Sequence, residues 1–368
     1  MNKKAIVAMS GGVDSSVAAL LMQQNGYDCI GATMKLFHNE EIGIHREKSC
    51  CSLEDVEDAR SVAKRLGMPY YVFNFSDEFN QAVIEPFIAD YQTGRTPNPC
   101  IECNRCLKFE KLYRRMRELG MDCIATGHYA QISFDEASGR FLLSKAADPQ
   151  KDQSYVLYML TQEQLAHTCF PLGHLTKPQV RKIADEHGFI NARKHDSQDI
   201  CFVPDGDYAR FIEGYTHTQA VPGSYISTDG EYLGTHKGII HYTIGQRKGL
   251  GIALGAPAYV TRLDPKFNTV TLGTNEDLFS RELTADRVNL ISRAAIPEPI
   301  RVTAKVRYRQ KEQPASAWQD SEGLLHVRFD EPQRAITCGQ AVVLYDGNLV
   351  VGGGTIREVA PADQTEQD

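Results

Sequence analysis

The feature that most constrains this chain is a short apolar strand that runs into a Ser-Gly-Gly turn and then into a helix. Residues 4–9 form the apolar run, Ser10, Gly11 and Gly12 form the turn, and a helix is predicted over 14–25. Adjacent glycines let the backbone turn tightly and come close to a ligand. The free N–H groups at a helix start attract an anion. The sequence therefore predicts an α/β unit with an anion site at this turn.

The side chains around the turn favour a phosphate as the ligand. The hydroxyls of Ser10, Ser15 and Ser16 add hydrogen-bond donors, and Asp14 is expected either to hold the loop or to reach a Mg²⁺ ion. The Walker A pattern G-x-x-x-x-G-K-[ST] is not present here. The turn is similar instead to the PP-loop of N-type ATP pyrophosphatases, and this resemblance implies cleavage of ATP between its α- and β-phosphates. The alternative is a glycine-rich turn without a ligand.

Strands and helices alternate through the first half of the chain. The predicted strands are 4–9, 28–37, 69–75 and 122–126, and the predicted helices are 14–25, 53–66, 77–92 and 104–119. This alternation predicts an α/β fold with a doubly wound parallel sheet. Ligands of such sheets bind beyond the carboxyl ends of the strands. Met34, Gly127 and His128 are expected at those ends, near the turn.

Beyond about residue 203 the pattern changes to short β-type runs separated by Gly, Pro, Asn and Asp. Such spacing is typical of small β domains and barrels. We therefore expect a PP-loop catalytic domain over 1–202, a central β-rich domain over 203–280 and a C-terminal β-barrel over 281–360.

Composition limits the compartment and the partners. No apolar run approaches the roughly 20 residues that span a bilayer, and the start of the chain has no signal-peptide pattern. We therefore expect a cytoplasmic protein, in which the ten cysteines are buried, catalytic or metal-bound rather than disulfide-bonded. Four of the cysteines lie in or beside apolar segments and are expected to be inert: Cys29, Cys123, Cys169 and Cys338.

The net charge of the chain is −7, so any nucleic-acid contact must come from local basic patches.

Two cysteine motifs about 100 residues apart carry the second strong signal. Cys100, Cys103 and Cys106 stand at the start of a predicted helix beside basic residues, a setting that lowers a thiol pKa. Cys201 ends a polar loop over 196–202. Two distant thiols that meet in a fold can transfer sulfur, because one carries a persulfide and the other resolves it. The same residues also fit a second interpretation, in which Cys100, Cys103 and Cys201, with or without Cys106, hold a [4Fe–4S] cluster or a zinc ion. Inert cysteines are the third interpretation.

Two basic patches predict a polyanionic partner. Residues 100–117 carry six Lys or Arg against two Glu, and residues 281–312 carry eight against four acidic residues. In the second patch Arg307, Tyr308 and Arg309 alternate basic and aromatic side chains, which suits phosphate contact and base stacking. A solvated helix face is the alternative for the first patch.

Together these motifs resemble the tRNA-specific 2-thiouridylase (MnmA) family. The matching stretches are 9–16, 51–67, 96–104, 125–129, 151–155, 196–202, 242–251 and 307–310. The paired motifs Asn-Pro-x-x-x-Cys-Asn and Asp-Ser-Gln-Asp-x-Cys-Phe are the most specific of them. The resemblance implies ATP-dependent 2-thiolation of the wobble uridine of tRNA, with adenylation of O2 and sulfur transfer from a cysteine persulfide. The products would be 2-thiouridine, AMP and pyrophosphate.

The resemblance also implies roles for individual residues. ATP and Mg²⁺ would bind at a loop formed by Ala8, Met9, Ser10, Gly11, Gly12, Val13, Asp14 and Ser15, with Met34 and Gly127 beside it. Cys201 would receive the persulfide sulfur, and Cys103 would release it through a transient disulfide. The target base and the rest of the tRNA would contact Asn98, Pro99, Cys100, His128, Lys151, Asp152, Gln153, Arg307, Tyr308 and Gln340. The implied partners are the glutamate, glutamine and lysine tRNAs and a sulfur-relay protein or cysteine desulfurase.

One position departs from part of the family. Some members carry Asp where this chain has Cys100, and that Asp has been assigned a catalytic role. Either the role is dispensable here, or Cys100 is a third sulfur-handling or cluster-binding thiol.

Overall fold

The computed structural model describes residues 2–37, 53–195 and 200–360. Its strands are β1 Lys4–Ala8, β2 Asp28–Lys35, β3 Tyr70–Asn74, β4 Cys123–Ala125, β5 Gln131–Asp135, β6 Arg140–Ser144, β7 Thr168–Cys169, β8 Gly223–Ser227, β9 Tyr232–His236, β10 Tyr259–Asp264, β11 Thr269–Gly273, β12 Phe279–Leu290, β13 Ile300–Lys305, β14 Gln313–Gln319, β15 Leu325–Arg334, β16 Ala341–Asp346 and β17 Leu349–Val359. Its α-helices are α1 Val13–Gln24, α2 Leu53–Arg65, α3 Ser76–Phe79, α4 Glu85–Gln92, α5 Pro99–Glu102, α6 Leu112–Glu118, α7 Gln162–Ala166, α8 Lys177–Glu186 and α9 Tyr208–Thr216.

The first half of the chain forms a parallel sheet with the strand order β3-β2-β1-β4-β7. Alternate residues of β1 face opposite sides, as the period of two in a strand requires. Val7 packs with Val17 of α1 on one face, whereas Ile6 packs with Leu112 and Met116 of α6 on the other. Both faces are therefore covered by helices, and the predicted doubly wound α/β sheet is confirmed.

Two π-helical segments interrupt the helices that border this sheet. Asn80–Ile84 joins α3 to α4, and Cys103–Lys111 joins α5 to α6. The helix expected over 104–119 therefore begins earlier, at Pro99, with Asn98 in the extended conformation before it. Proline suits this position because the first helical residue needs no hydrogen-bonded N–H. As a result, the three clustered cysteines all lie on helical backbone.

The second half contains the two β-rich parts that the sequence predicts. A small sheet with the order β10-β11-β8-β9 packs around the buried Tyr225 and Tyr242. A six-stranded barrel follows, with the order β12-β15-β14-β13-β16-β17, and pairing between β12 and β17 closes it.

One hairpin crosses from the first half into the barrel sheet. Strands β5 and β6 extend this sheet beyond β17, through pairing of Ser144 with Leu349. The Arg140 side chain adds two hydrogen bonds, from Nε to Ile291 O (2.8 Å) and from Nη2 to Leu290 O (3.1 Å). The hairpin therefore ties the barrel to the α/β part. Across the described ranges, no helix is both long and apolar enough to cross a membrane.

Candidate active site

The Ser-Gly-Gly turn leaves the first N–H groups of α1 available for a ligand. Gly11 has a φ of +76°, and a Cβ at this position would overlap the backbone of Asp55. Gly12 caps the helix in an extended conformation without a capping side chain. Ser15 Oγ accepts from the Ser10 N–H (3.2 Å) and donates to Gly12 O (3.0 Å). These bonds fix the turn, so the helix start is preorganised as an anion site.

A segment far along the chain, which contains Asn191 and Lys194, bonds to the turn and to α2 beside it. Asn191, which is only 2% exposed, donates from Nδ2 to Gly11 O (2.8 Å). Lys194 Nζ bridges Asp55 Oδ1 (2.7 Å) and Asp58 Oδ2 (2.6 Å). Burial disfavours the charged form of Lys194 and so acts to lower its pKa. The hydrogen bonds to the two carboxylates outweigh this effect, and the pKa of Lys194 is raised. Asn191 and Lys194 lie outside every motif that the sequence analysis identified, and nothing in their local pattern marks them as supports.

Asp14 is engaged by protein groups. Its Oδ1 accepts from Lys177 Nζ (2.7 Å) and from the Tyr129 hydroxyl (2.8 Å), and its Oδ2 lies 2.8 Å from the same Nζ. Of the two expected roles of Asp14, this geometry supports holding the loop. A Mg²⁺ ion that accompanies ATP keeps most of its ligands from phosphates and water, so it does not require a dedicated cluster of carboxylates.

The end of β4 approaches the same helix start. A Cβ at Gly127 would lie 2.7 Å from Ser15 N, so only glycine fits between the strand end and α1. Met9 directly follows β1, and its carbonyl accepts a hydrogen bond from Thr33 Oγ1 of the neighbouring strand β2 (2.6 Å). Met34, at the end of β2, is half-buried. The structure thus gathers the expected ATP-loop residues at one edge of the sheet.

His128 faces the interior of the protein. Its Nδ1 lies 2.7 Å from Thr126 Oγ1, and its ring packs 5.9 Å from Phe109 and 5.8 Å from Phe170 between ring centroids. Burial, with the nearby charge of Lys108, lowers the pKa of His128 well below its usual value. A contact between this ring and tRNA would require the aromatic layer to rearrange, and it stays a prediction.

The structure brings the two cysteine motifs to one apolar cluster. Cys103 is a buried member of the cluster around Phe87 and Phe202, and Cys106 and Cys201 pack against it. Cys100 is exposed on the same stretch of helix. Burial raises the pKa of Cys106, so the lowered thiol pKa expected for this setting is wrong for Cys106. Residues 196–199, the first part of the second motif, lie outside the described residues.

The metal interpretation of these cysteines finds no support in this arrangement. Within the described ranges, no group of three or more His, Cys, Asp or Glu side chains is placed to hold a metal ion. As placed, Cys100, Cys103 and Cys201 do not form such a ligand group, and a [4Fe–4S] cluster or a zinc ion at these thiols stays a prediction.

The segment before Asn98 is held by the barrel. Gln340 Nε2 donates to Thr96 O (2.9 Å) and to Pro97 O (3.2 Å), and the Thr96 N–H donates to Cys338 O (2.9 Å). The expected tRNA contact of Gln340 stays a prediction, while its amide visibly fixes the approach to Asn98 and Pro99.

Tyr308 links the barrel to the 151–153 loop. Its hydroxyl donates to Asp152 O (3.2 Å), and its ring lies 5.9 Å from that of Tyr155. Burial, together with the neighbouring Asp152 and Cys100, raises the pKa of Tyr308. Three of the expected contact residues, Tyr308, Asp152 and Cys100, therefore lie near one another, although they come from three separate parts of the sequence.

The loop over 151–153 is itself strongly ordered. Asp152 Oδ1 accepts from Ala146 N (3.0 Å), and Oδ2 accepts from Ser154 Oγ (2.8 Å). Gln153 Oε1 accepts from Tyr129 N (3.0 Å). Lys151 is half-buried at the turn. The side chains of Asp152 and Gln153 thus shape the loop, and their expected tRNA contacts stay predictions.

Arg307 is half-buried, and its guanidinium bonds to groups of the protein, so its expected tRNA contact stays a prediction. Its Nη2 donates to Ala335 O (2.9 Å), Thr337 Oγ1 (2.9 Å) and Ile244 O (3.4 Å). The bond to Ile244 O joins the barrel part to a residue that packs against the core of the small β sheet. The neighbouring Arg309 is exposed, so the outward-facing cation of this stretch is two residues further on.

A cavity of about 300 Å³ lies between the helical segment and the barrel. Asn98 and Pro99 line this cavity. Glu102 also lines it and forms ion pairs with two further lining residues, Arg105 (2.6 Å) and Arg287 (3.2 Å). The cavity adjoins the expected base site and gives that side of the helix a polar lining.

A parallel sheet with an anion-binding Ser-Gly-Gly turn at its first strand, followed by a β-rich middle part and a barrel, defines an ATP-using enzyme of the PP-loop class. Family models match three successive ranges: a tRNA methyl transferase HUP domain over 3–205, a tRNA methyl transferase PRC-barrel domain over 209–274 and an aminomethyltransferase beta-barrel domain over 280–356. The curated tRNA-specific 2-thiouridylase MnmA of Clostridioides difficile is 52% identical over 97% of this chain and 99% of its own length. The enzymes of the same name from Acetivibrio thermocellus and Moorella thermoacetica are 54% and 53% identical, each over 96% of this chain and 99% of its own length. The chain belongs to the tRNA-specific 2-thiouridylase (MnmA) family.

Among solved structures, a 4-thiouridine synthetase–RNA complex with bound ATP matches 55% of this chain and 45% of its own chain. The sequence identity is 19% and the TM-score is 0.38.

Proposed function

We propose that this protein is an ATP-dependent tRNA-uridine 2-sulfurtransferase acting on the wobble uridine. The observation that carries the proposal is that Cys103 lies in the same apolar cluster against which Cys201 packs, although the two are about 100 residues apart in sequence. Family membership and the preorganised anion turn support the ATP requirement. We assign the catalytic unit to 1–202, the central β-rich domain to 203–280 and the tRNA-gripping barrel to 281–360.

Thiolation at C2 requires the carbonyl oxygen O2 to leave, and adenylation converts this poor leaving group into a good one. Uridine O2 attacks the α-phosphate of ATP, and pyrophosphate leaves. The N–H groups at the start of α1, with Ser10 and Ser15, would hold the phosphates. The carbonyl oxygen is then bonded to AMP, which departs far more readily than a free oxide.

The two thiols would complete the transfer. The terminal sulfur of a Cys201 persulfide attacks C2 of the activated uridine, and AMP leaves with O2. The Cys103 thiolate then attacks Sγ of Cys201, which forms a Cys103–Cys201 disulfide and releases 2-thiouridine. An external dithiol reduces the disulfide, and a persulfide-carrying relay protein or cysteine desulfurase reloads Cys201.

The tRNA would contact the barrel and the loops that converge on Cys100. Exposed Arg309 and Lys311 offer phosphate contacts, and Tyr308 offers a ring beside them. The target base must leave its stack to reach the adenylation site, and Asn98, Pro99 and Cys100 would receive it. The expected substrates are the glutamate, glutamine and lysine tRNAs. A tRNA substrate and a persulfide donor both fit a cytoplasmic location of the protein.

Nucleoside mass spectrometry tests the proposal. Unmodified glutamate, glutamine or lysine tRNA is incubated with anaerobically purified protein, ATP, Mg²⁺ and a persulfide donor, with and without iron–sulfur reconstitution. We expect 2-thiouridine at the wobble position under both conditions, with one AMP per thiolated base. Absence of thiolated base while AMP still forms would identify a different substrate, and formation only after reconstitution would overturn the persulfide route.

Cysteine variants separate the two thiols in the same assay. Cys201→Ser should accept no persulfide, whereas Cys103→Ser should still accept it and accumulate a Cys201-bound species. Cys169→Ser is the matched control, because Cys169 lies on the edge strand β7 away from the cluster. Full activity of Cys201→Ser would contradict its assigned role.

A further inference from the structure

The first turn of α1 carries a negative charge in the position where phosphates are expected. Asp14 is the second residue of the helix, directly after the glycine turn, and its side chain is 30% exposed. A carboxylate near the phosphates of ATP repels them, because like charges a few ångströms apart interact strongly where water is partly excluded. The loop therefore needs a compensating cation.

The compensating cation comes from α8. The Lys177 side chain is only 9% exposed, and its Nζ lies within 2.8 Å of both carboxylate oxygens of Asp14. The position of Lys177 is fixed by its own backbone N–H, which donates to Oδ2 of the buried Asp148 (2.9 Å). The Thr176 capping box further sets the start of this helix.

The location of Lys177 is unfavourable for a purely structural residue. It is the first residue of α8, where the helix dipole disfavours a cation. Burial of an ammonium adds a desolvation cost. A neutral pair of similar shape at positions 14 and 177 would avoid both costs, so the charge pair points to a role beyond stability.

We propose that Lys177 is a positioning residue for ATP: its ammonium neutralises Asp14, so that the start of α1 presents a net positive field to the phosphates. The inference rests on the proposed ATP-dependent function and deepens it. Tyr129, whose hydroxyl also donates to Asp14 Oδ1, helps to hold the carboxylate in this orientation. The Asp14 carboxylate then ties α1 to α8 without opposing the ligand.

A double-mutant cycle on nucleotide binding tests this proposal. The dissociation constant of α,β-methylene-ATP is measured in EDTA, without tRNA or sulfur donor, for wild type, Lys177→Met, Asp14→Asn and the double variant. We expect Lys177→Met to weaken binding about tenfold or more, because an unpaired carboxylate then faces the phosphates. Asp14→Asn should tighten binding, and the double variant should bind within about threefold of wild type.

Each outcome decides the question. Wild-type binding by Lys177→Met, or a double variant as weak as Lys177→Met, would overturn the charge-neutralising role. Weaker binding by Asp14→Asn would overturn it independently, even if Lys177→Met does not fold. Lys177→Arg should retain wild-type binding, and thermal unfolding of every variant separates loss of fold from loss of affinity. Failure of the wild-type protein to bind the nucleotide both in EDTA and with added Mg²⁺ would instead contradict the proposed ATP-dependent function.

Discussion

At the residue scale, the nucleotide loop depends on backbone shape more than on side-chain chemistry. Gly11 adopts a left-handed φ, and Gly127 brings the end of β4 against the first turn of α1. Both positions leave no room for a methyl group, so the turn keeps its N–H groups directed at a ligand. This dependence predicts that a single added methyl is enough to disturb ATP chemistry.

Substitution of Gly127 tests the close approach directly. In Gly127→Ala the added Cβ would lie 2.7 Å from Ser15 N and 2.8 Å from Asp14 C, so the helix start must shift. We expect AMP formation to fall about tenfold or more, since small displacements in a binding site are costly. Gly214→Ala in α9 is the matched control, because its Cβ meets nothing within 4 Å, and helix propensity predicts a gain of about 0.5–1 kcal/mol in stability. A wild-type rate of AMP formation in Gly127→Ala would rule out the close packing.

His128 predicts a pH dependence of stability. Its folded-state pKa lies well below the usual 6.5 because the ring is buried, so the unfolded chain binds this proton first as the pH falls. The stability contributed by neutral His128 is therefore complete above about pH 6.5 and falls below it by up to about 1.4 kcal/mol per pH unit. Urea unfolding at pH 7.5 and 5.5 should show a smaller loss for His128→Gln than for wild type. His236, whose pKa burial also lowers, is present in both proteins and cancels in this comparison.

At the element scale, the segment between β13 and β14 shows why a basic pattern does not reveal which way its side chains face. Arg307 and Arg309 have the same type and lie two residues apart, which in a regular strand would put them on one face. This segment is not a strand, and Arg307 is folded inward onto backbone carbonyls while Arg309 is exposed. Removal of Arg307 should therefore lower the stability of the fold, whereas removal of Arg309 should weaken tRNA binding.

Paired alanine variants test this division. Arg307→Ala removes a charged donor from Ile244 O and from Ala335 O, which keeps its bond from Thr337 Oγ1, so we expect the free energy of unfolding to fall by about 1–3 kcal/mol. Arg309→Ala should leave stability unchanged, weaken tRNA binding and reduce the slope of log K against log salt by about 1. Denaturant titration and tRNA binding at several salt concentrations give both readouts. Loss of salt slope in Arg307→Ala at unchanged stability would reverse the assignment.

Other elements follow from local sequence and were predictable. The apolar run over 4–9 and the stripe of α1 fix a strand and a helix by their periods of 2 and 3.6, and the structure has β1 and α1 there. The π-helical segment Cys103–Lys111 was not predictable, because its sequence has the same periodic pattern as an ordinary helix. Nor did the sequence indicate that hairpin β5–β6 pairs with the barrel.

At the scale of the whole molecule, the site depends on contacts between distant parts of the chain. Asn191 supports Gly11 from 180 residues away, and Gln340 holds Thr96 from 244 residues away. Sequence periodicity and motifs report on neighbours within a few turns or strand positions, so they predict which segments are candidates for the chemistry but not which side chains hold those segments in place. The supporting residues can be found only where the tertiary contacts are known.

The Gln340 contact predicts that the barrel controls sulfur transfer separately from ATP binding. Gln340→Ala removes the donor to Thr96 O and Pro97 O, so the segment that leads to Asn98 should loosen, while the supports of the ATP turn are untouched. The loss of such partly buried bonds is worth about 1–3 kcal/mol.

We therefore expect Gln340→Ala to reduce 2-thiouridine formation about tenfold or more, with an unchanged dissociation constant for ATP. Gln319→Ala, a barrel variant whose side chain bonds to Ile296 N and Gly323 O, should retain full activity. Equal losses of ATP binding and thiolation in Gln340→Ala would show that the barrel supports the whole catalytic unit rather than the base site.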